Sequence, residues 1–132
     1  INETNIRLID IEPITLPASS TLSSLGESDQ AALQVADRAY KVWHKNFHYL
    51  YHLHSRSPMA GERPSEFQLV VDELRGVAGT PETVCRFIEA RMLESGADYM
   101  VGQFVFGDMS REESITSVEL FGRHVMPALL AV

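Results

Sequence analysis

Residues Asp98–Glu113 read DYMVGQFVFGDMSREE, and this stretch decides the fold. From Asp98 to Phe106 it is almost continuously apolar, with Gln103 as the polar interruption. Such a run predicts a parallel strand covered on both faces. Gly107 and Asp108 then turn the chain. Ser110 and Glu113 have the spacing of a capping box, in which each side chain satisfies the other residue's backbone N–H at a helix start. Strand, turn and capped helix make one β/α unit. The helix that follows should bury Ile115, Val118, Phe121, Val125 and Leu129, and Pro127 should break or kink it near its end.

The same unit recurs upstream. Gly76–Ala78 reads as a short strand. Thr80 is a good N-cap and Pro81 suits the first helical position, where its missing N–H costs nothing. Val84, Phe87, Ile88 and Met92 share the buried face of that helix, and Gly96 can take the left-handed conformation that ends it. Further back, a short strand near Thr21–Leu25 precedes Ser28 or Asp29 as cap. Leu33, Ala36, Tyr40, Trp43, Phe47, Leu50 and Tyr51 then recur at helical spacing, which predicts a long helix ending near His54. Ser55–Pro64 carries Pro58, Gly61 and Pro64 and reads as loop. Phe67–Leu74 reads as a short helix with Phe67, Val70, Val71 and Leu74 on one face. Ile6–Leu16 (IRLIDIEPITL) is β-prone but broken by Pro13, with Pro17 just after it. The alternation predicts an α/β protein with a parallel sheet, whose ligands bind at the C-terminal ends of the strands.

The 132 residues suffice for one core but fall short of the roughly 200 that a complete (β/α)8 barrel needs. The formal net charge of −7 argues against a nucleic-acid surface. No apolar run has the length of a membrane span, and the opening INETNIRLID has no signal-peptide pattern. The single Cys85 cannot form an internal disulfide and fits a reducing compartment, so a cytoplasmic location is expected.

The stretch Gly79–Leu129 resembles the C-terminal end of the bacterial-luciferase-like, flavin-dependent monooxygenases, and with an earlier segment the resemblance covers the last two-thirds to three-quarters of the chain. GTPETV (Gly79–Val84) is similar to that family's strand-seven to helix-seven junction. SGADYMVGQFVFGDMSREES (Ser95–Ser114) resembles its last strand and the turn into its last helix. SVELFGRHVMPAL (Ser117–Leu129) resembles its closing helix, which often reads S-x-E-L-F-x-x-x-V-M-P. GESDQAALQVADRAYKVW (Gly26–Trp43) is similar to an earlier strand–helix junction. The closing motif is the specific one; GTPE alone is ordinary capping chemistry. The first 24 residues depart from the pattern.

The resemblance implies a partial (β/α)8 TIM barrel, residues 25–132 supplying its last two or three β/α units within a single domain. It implies reduced flavin (FMN, or a deazaflavin in related members) at the barrel mouth. There a flavin peroxide formed with O2 oxygenates a small organic substrate, served by a flavin reductase. The isolated chain is expected to be inactive, because the N-terminal half of such a barrel has no counterpart in it. The chain is then a fragment or a naturally shortened relative, its open side covered by the missing half or by another copy. A non-catalytic α/β interaction or scaffold module that oligomerises is the alternative.

His44, His48 and His52 follow one another at i, i+4, i+8. No H-E-x-x-H motif or thiolate cluster accompanies them, so no metal is assigned. They form a polar stripe, or else His44 or His48 borders the flavin cavity as the catalytic group that hydrogen-bonds substrate or peroxide. Gly79 and Thr80 lie at a helix N-terminus, where backbone N–H groups can hold a cofactor phosphate or simply form a cap. Gln103 either reaches the cofactor from the strand or is a satisfied core residue, and alternation would pair it with Val105 on one face and Phe104 with Phe106 on the other. Cys85 reads as a small packing residue.

Overall fold

The computed structural model describes residues 21–59, 61–97 and 99–131; the β-prone segment Ile6–Leu16 lies outside them. The elements are β1 (Thr21–Leu25), α1 (Asp29–Leu53), α2 (Phe67–Asp72), β2 (Gly76–Gly79), α3 (Pro81–Ser95), β3 (Gly102–Gln103) and α4 (Arg111–Leu120). A π-helical turn (Phe121–Val125) and α5 (Met126–Leu130) continue from α4. The widened turn comes just before Pro127, whose ring crowds the preceding turn and which has no N–H to donate.

The expected caps are present. Ser28 Oγ accepts from Ala31 N–H, Thr80 Oγ1 accepts from Thr83 N–H, and Ser110 with Glu113 completes its capping box. Gly96 closes α3 at φ 68°.

The three strands form a parallel sheet of order β2-β1-β3. The β1–β2 ladder runs from Leu22↔Gly76 to Leu25↔Gly79, whereas β1 and β3 share two pairs, Thr21↔Gly102 and Leu22↔Gln103. Consecutive units of a barrel would instead place each strand beside the next. Helices cover both faces. Leu22 packs with Ala36, Ala39 and Tyr40 of α1 and Phe67 and Val70 of α2. Leu25 and Val77 point the other way, onto Val84 and Ile88 of α3 and Val125 of the π turn. Two-sided covering with the first strand in the middle is a doubly wound arrangement.

Three expectations about burial need correction. Among the described residues of the strand expected over Asp98–Phe106, the sheet pairs are at Gly102–Gln103 only, and Tyr99, Val101 and Val105 are exposed. Past Gln103 the chain leaves the sheet, so Phe104 and Phe106 do not share a face. Phe104 packs on Phe121, while Phe106 stacks on Phe67. On α4, Ile115 and Val118 are exposed and Ser114 and Ser117 are buried in their place. The reason is backbone chemistry: β3 ends too early to pair with Leu25, and Ser117 Oγ does so instead. That hydroxyl accepts from Leu25 N–H at 3.0 Å and donates to Leu25 C=O at 3.3 Å. The short helix α2 ends at Asp72, and Leu74, at φ 59°, is exposed and outside its face.

Candidate functional site

Both β1 and β2 end on the same side of the sheet, where α1 and α3 begin. This end is the ligand-binding side of an open α/β sheet, and in the order β2-β1-β3 the topology switches between β1 and β3. A cleft of about 230 Å³ lies there, with a floor of Leu25, Gly26, Ala31 and Ala32 and a rim of Glu112 and Glu113. Its volume is below the roughly 300–1,000 Å³ typical of small-molecule sites.

Each junction around this end is held by side chains of the chain itself. Asp29, in the first turn of α1, reaches across to the start of α3. Its Oδ1 accepts from Thr80 N–H at 2.8 Å and its Oδ2 from the Thr83 hydroxyl at 3.1 Å. These bonds, the backbone one first, hold the Asp29 carboxyl below its ordinary pKa. Gly79 is required by this approach: a Cβ there would lie 2.5 Å from Asp29 Oδ1 and 2.7 Å from Thr83 Cγ2. Gly79 and Thr80 therefore sit at the predicted helix N-terminus, but a carboxylate occupies the place a phosphate would take, and Thr80 N–H is already bonded to it.

At the β3–α4 junction, Arg38 of α1 grips Glu113 with both terminal nitrogens, at 3.0 and 2.5 Å, and its Nε donates to Asp108 at 3.3 Å. The guanidinium holds the Glu113 carboxyl below its ordinary pKa, and Glu113 in turn raises that of Arg38. Gly107, at φ 58°, lets this turn press against the Ala39 carbonyl. Gln103 sits at the β3 edge with its Nε2 donating to Val105 C=O at 3.2 Å, within its own segment.

The histidines are elsewhere. From Asp29 to Tyr40 the helix rises about 16 Å, close to the length of β1, so α1 overruns the sheet from Trp43 onward. His44 and His48 are more than 20 Å along the helix from the strand ends, on the αβ-loop side, by the ~1.5 Å rise per residue. There they hold the loop that leads into α2. His44 Nε2 contacts Arg63 C=O at 2.9 Å, and Tyr40 donates its hydroxyl to Pro64 C=O at 2.7 Å. His48 is buried; its Nδ1 contacts His44 C=O at 2.8 Å and its Nε2 accepts from Arg63 N–H at 3.1 Å. Glu62 reaches the Nε2 atoms of His48 and His52 at 3.0 and 3.4 Å. The ring centroids of His44 and His48 lie 4.2 Å apart, with the planes tilted by 47°. Both nitrogens of His48 thus have backbone partners. Among the described residues, no group of three or more His, Cys, Asp or Glu is arranged to hold a metal ion. Burial and the neighbouring Glu89 push the Cys85 thiol up, away from a reactive thiolate.

Sequence reading missed Arg38 and Ser117 and took Asp29 only as a candidate cap of α1, not as the bridge to α3. Only Asp29 had a signal, as an acidic residue in a helix first turn; the partners of all three lie at least 51 residues away.

No helix among the described residues is long and apolar enough to cross a membrane. No family model matches the chain. It is 32% identical over 91 residues to an uncharacterized protein, y4wF, of Sinorhizobium fredii. The match takes in 69% of this chain and 26% of the relative, so the chain spans about a quarter of the protein it resembles.

Proposed function

We propose that this chain forms the closing β/α units of a larger luciferase-like, flavin-dependent monooxygenase, and that catalysis belongs to the complete protein. The observation that carries the reading is one of length. With 91 residues making up 26% of it, the relative is about 350 residues long, within the range of a complete (β/α)8 barrel. The closing motif Ser117–Leu129 and the clustering of β→α turns at one sheet end support the same reading. In a barrel the second edge of β1 belongs to the preceding strand; here β3 fills it with two residue pairs, a small contact to exchange for a seat beside β2.

The described residues of this chain do not fit a flavin phosphate. Asp29 fills the helix start at Thr80, and the switch-point cleft is small and rimmed by Glu112 and Glu113. The chain therefore acts as wall, and FMN or a deazaflavin, O2 and the organic substrate are met by the rest of the protein. His44 and His48 keep the α1–α2 loop in place rather than touching the reacting atoms.

A stand-alone α/β module is the second reading, favoured by the doubly wound order and the two-sided helix cover. A flavin absorbance titration of the 132-residue chain, beside the product of the whole reading frame around Ile1, tests the proposal. Saturable flavin binding by the longer product alone is expected. Flavin binding with substrate turnover by the isolated chain would overturn it. A longer product that ignores flavin would also overturn it, in favour of the module.

A further inference from the structure

Among the described residues, the distal half of α1 carries an unfilled interaction surface. Phe47, Leu50, Tyr51 and His54 follow at i, i+3, i+4 and i+7, continuing the stripe that Ala36, Tyr40 and Trp43 bury against the rest of the fold. Beyond the sheet this stripe is open: Leu50 is 62% exposed, and Arg56 closes a groove along it. The Arg63 guanidinium lies over the Phe47 ring, 5.6 Å from its centroid, on the same stripe.

Charge selects the occupant. Residues 43–64 carry +2 in a chain whose total is −7, so the remainder carries −9; of their charges Arg56 and Arg63 lie at the groove, while Lys45 and Glu62 lie beside His48 and His52 on another face of α1. Four of the five histidines lie in the same stretch. Among the described residues, Lys45, Arg56 and Arg63 have no salt-bridge partner. A second copy would bring +2 against +2, and like charges across an interface are repelled. An anionic membrane would have to approach a chain whose remaining residues carry a net −9. An amphipathic helix with apolar anchors at matching spacing and carboxylates on its flanks meets both features of the groove.

We infer that the distal half of α1 is a docking surface for an acidic amphipathic helix of a protein partner, its apolar anchors on Phe47, Leu50 and Tyr51 and its carboxylates on Arg56 and Arg63. The reading stands apart from the flavin proposal, since it concerns the opposite end of the sheet.

Trp43, the one tryptophan of the chain, stacks on Phe47 at 4.9 Å and reports on the groove. The probe is a helical peptide with Leu at i, i+3, i+4 and i+7 and Glu at the flanks; its twin carries Lys for Glu. Titration of the full chain should give a saturable change in Trp43 emission with the Glu peptide and none with the Lys twin. Added salt should weaken the binding, and Arg56→Glu should weaken it by about tenfold or more. Leu50→Asp, at an exposed position, should abolish it with the fold intact by circular dichroism. Equal binding of both peptides, an unaffected Arg56→Glu variant, or no binding of the Glu peptide overturns the inference. So does a Trp43 response to phosphatidylserine vesicles in place of the peptide, or a dimer that Leu50→Asp dissociates.

Discussion

Ser114 and Ser117 lie one turn apart on the buried face of α4, yet replacing them with alanine should have opposite effects. Ser117 is 1% exposed and its hydroxyl joins both backbone groups of Leu25. Removing it leaves a buried N–H and C=O without that partner, a loss of about 1–3 kcal/mol. The better helix propensity of Ala returns about 0.5 kcal/mol. The Ser114 hydroxyl is also buried, but among the described residues it has no hydrogen-bond partner. Its removal deletes an orphan and gains the same propensity, so Ser114→Ala should be neutral or stabilising. The two variants should differ by about 2 kcal/mol, which is on the order of 6–10 °C in Tm for a domain of this size. Urea unfolding followed by Trp43 emission, with thermal circular dichroism alongside, measures the difference. Equal stabilities, or Ser114→Ala as the weaker protein, would refute the claim that Ser117 completes the β1 ladder.

Other outcomes follow from the same geometry. Asp29 and Glu113 both have carboxyls held below their ordinary pKa, so their stabilisation is complete above about pH 5 and lost as pH falls through the lowered folded values. Asp29→Asn should therefore flatten the acid side of the stability curve, read by urea midpoints between pH 3 and 7. Burial pushes the Tyr40 phenol up to about 12, and an absorbance titration at alkaline pH should show that step vanish in Tyr40→Phe. Losing its bond to Pro64 should also speed amide exchange in residues 61–63. Gly107→Ala places a Cβ against the Ala39 carbonyl at a positive φ and should cost several kcal/mol, roughly the scale of severe core strain, or prevent folding, as circular dichroism would report.

What the sequence made legible was local. The caps at Ser28, Thr80 and Ser110, the Gly96 stop and the long stripe of α1 depend on neighbours within four residues, so their chemistry is written in adjacent letters. What it hid was set by distance. The apolar run Asp98–Phe106 looks like a doubly covered strand, but the number of ladder pairs depends on which strand lies alongside, and β1 offers two. Ile115 and Val118 outrank Ser114 and Ser117 on any hydropathy scale, but the unpaired backbone of Leu25, 92 residues earlier, decided which face turned inward. Gly79 and Thr80 carry the letters of a phosphate turn; the carboxylate that fills it comes from another helix. The His44 and His48 spacing was plain, while their place at the far end of α1 follows from the mismatch between a 25-residue helix and strands of four or five residues.

The proposed role as wall requires that the starts of α3 and α4 stay closed by Asp29 and Glu113. An amide NMR titration with FMN reads that state at the atoms concerned. The Gly79 and Thr80 resonances should stay in place at millimolar FMN in the wild-type chain, with Thr80 N–H still bonded to Asp29. A saturable shift of both resonances, with the phosphate displacing Asp29, would contradict the account and return the flavin site to this chain.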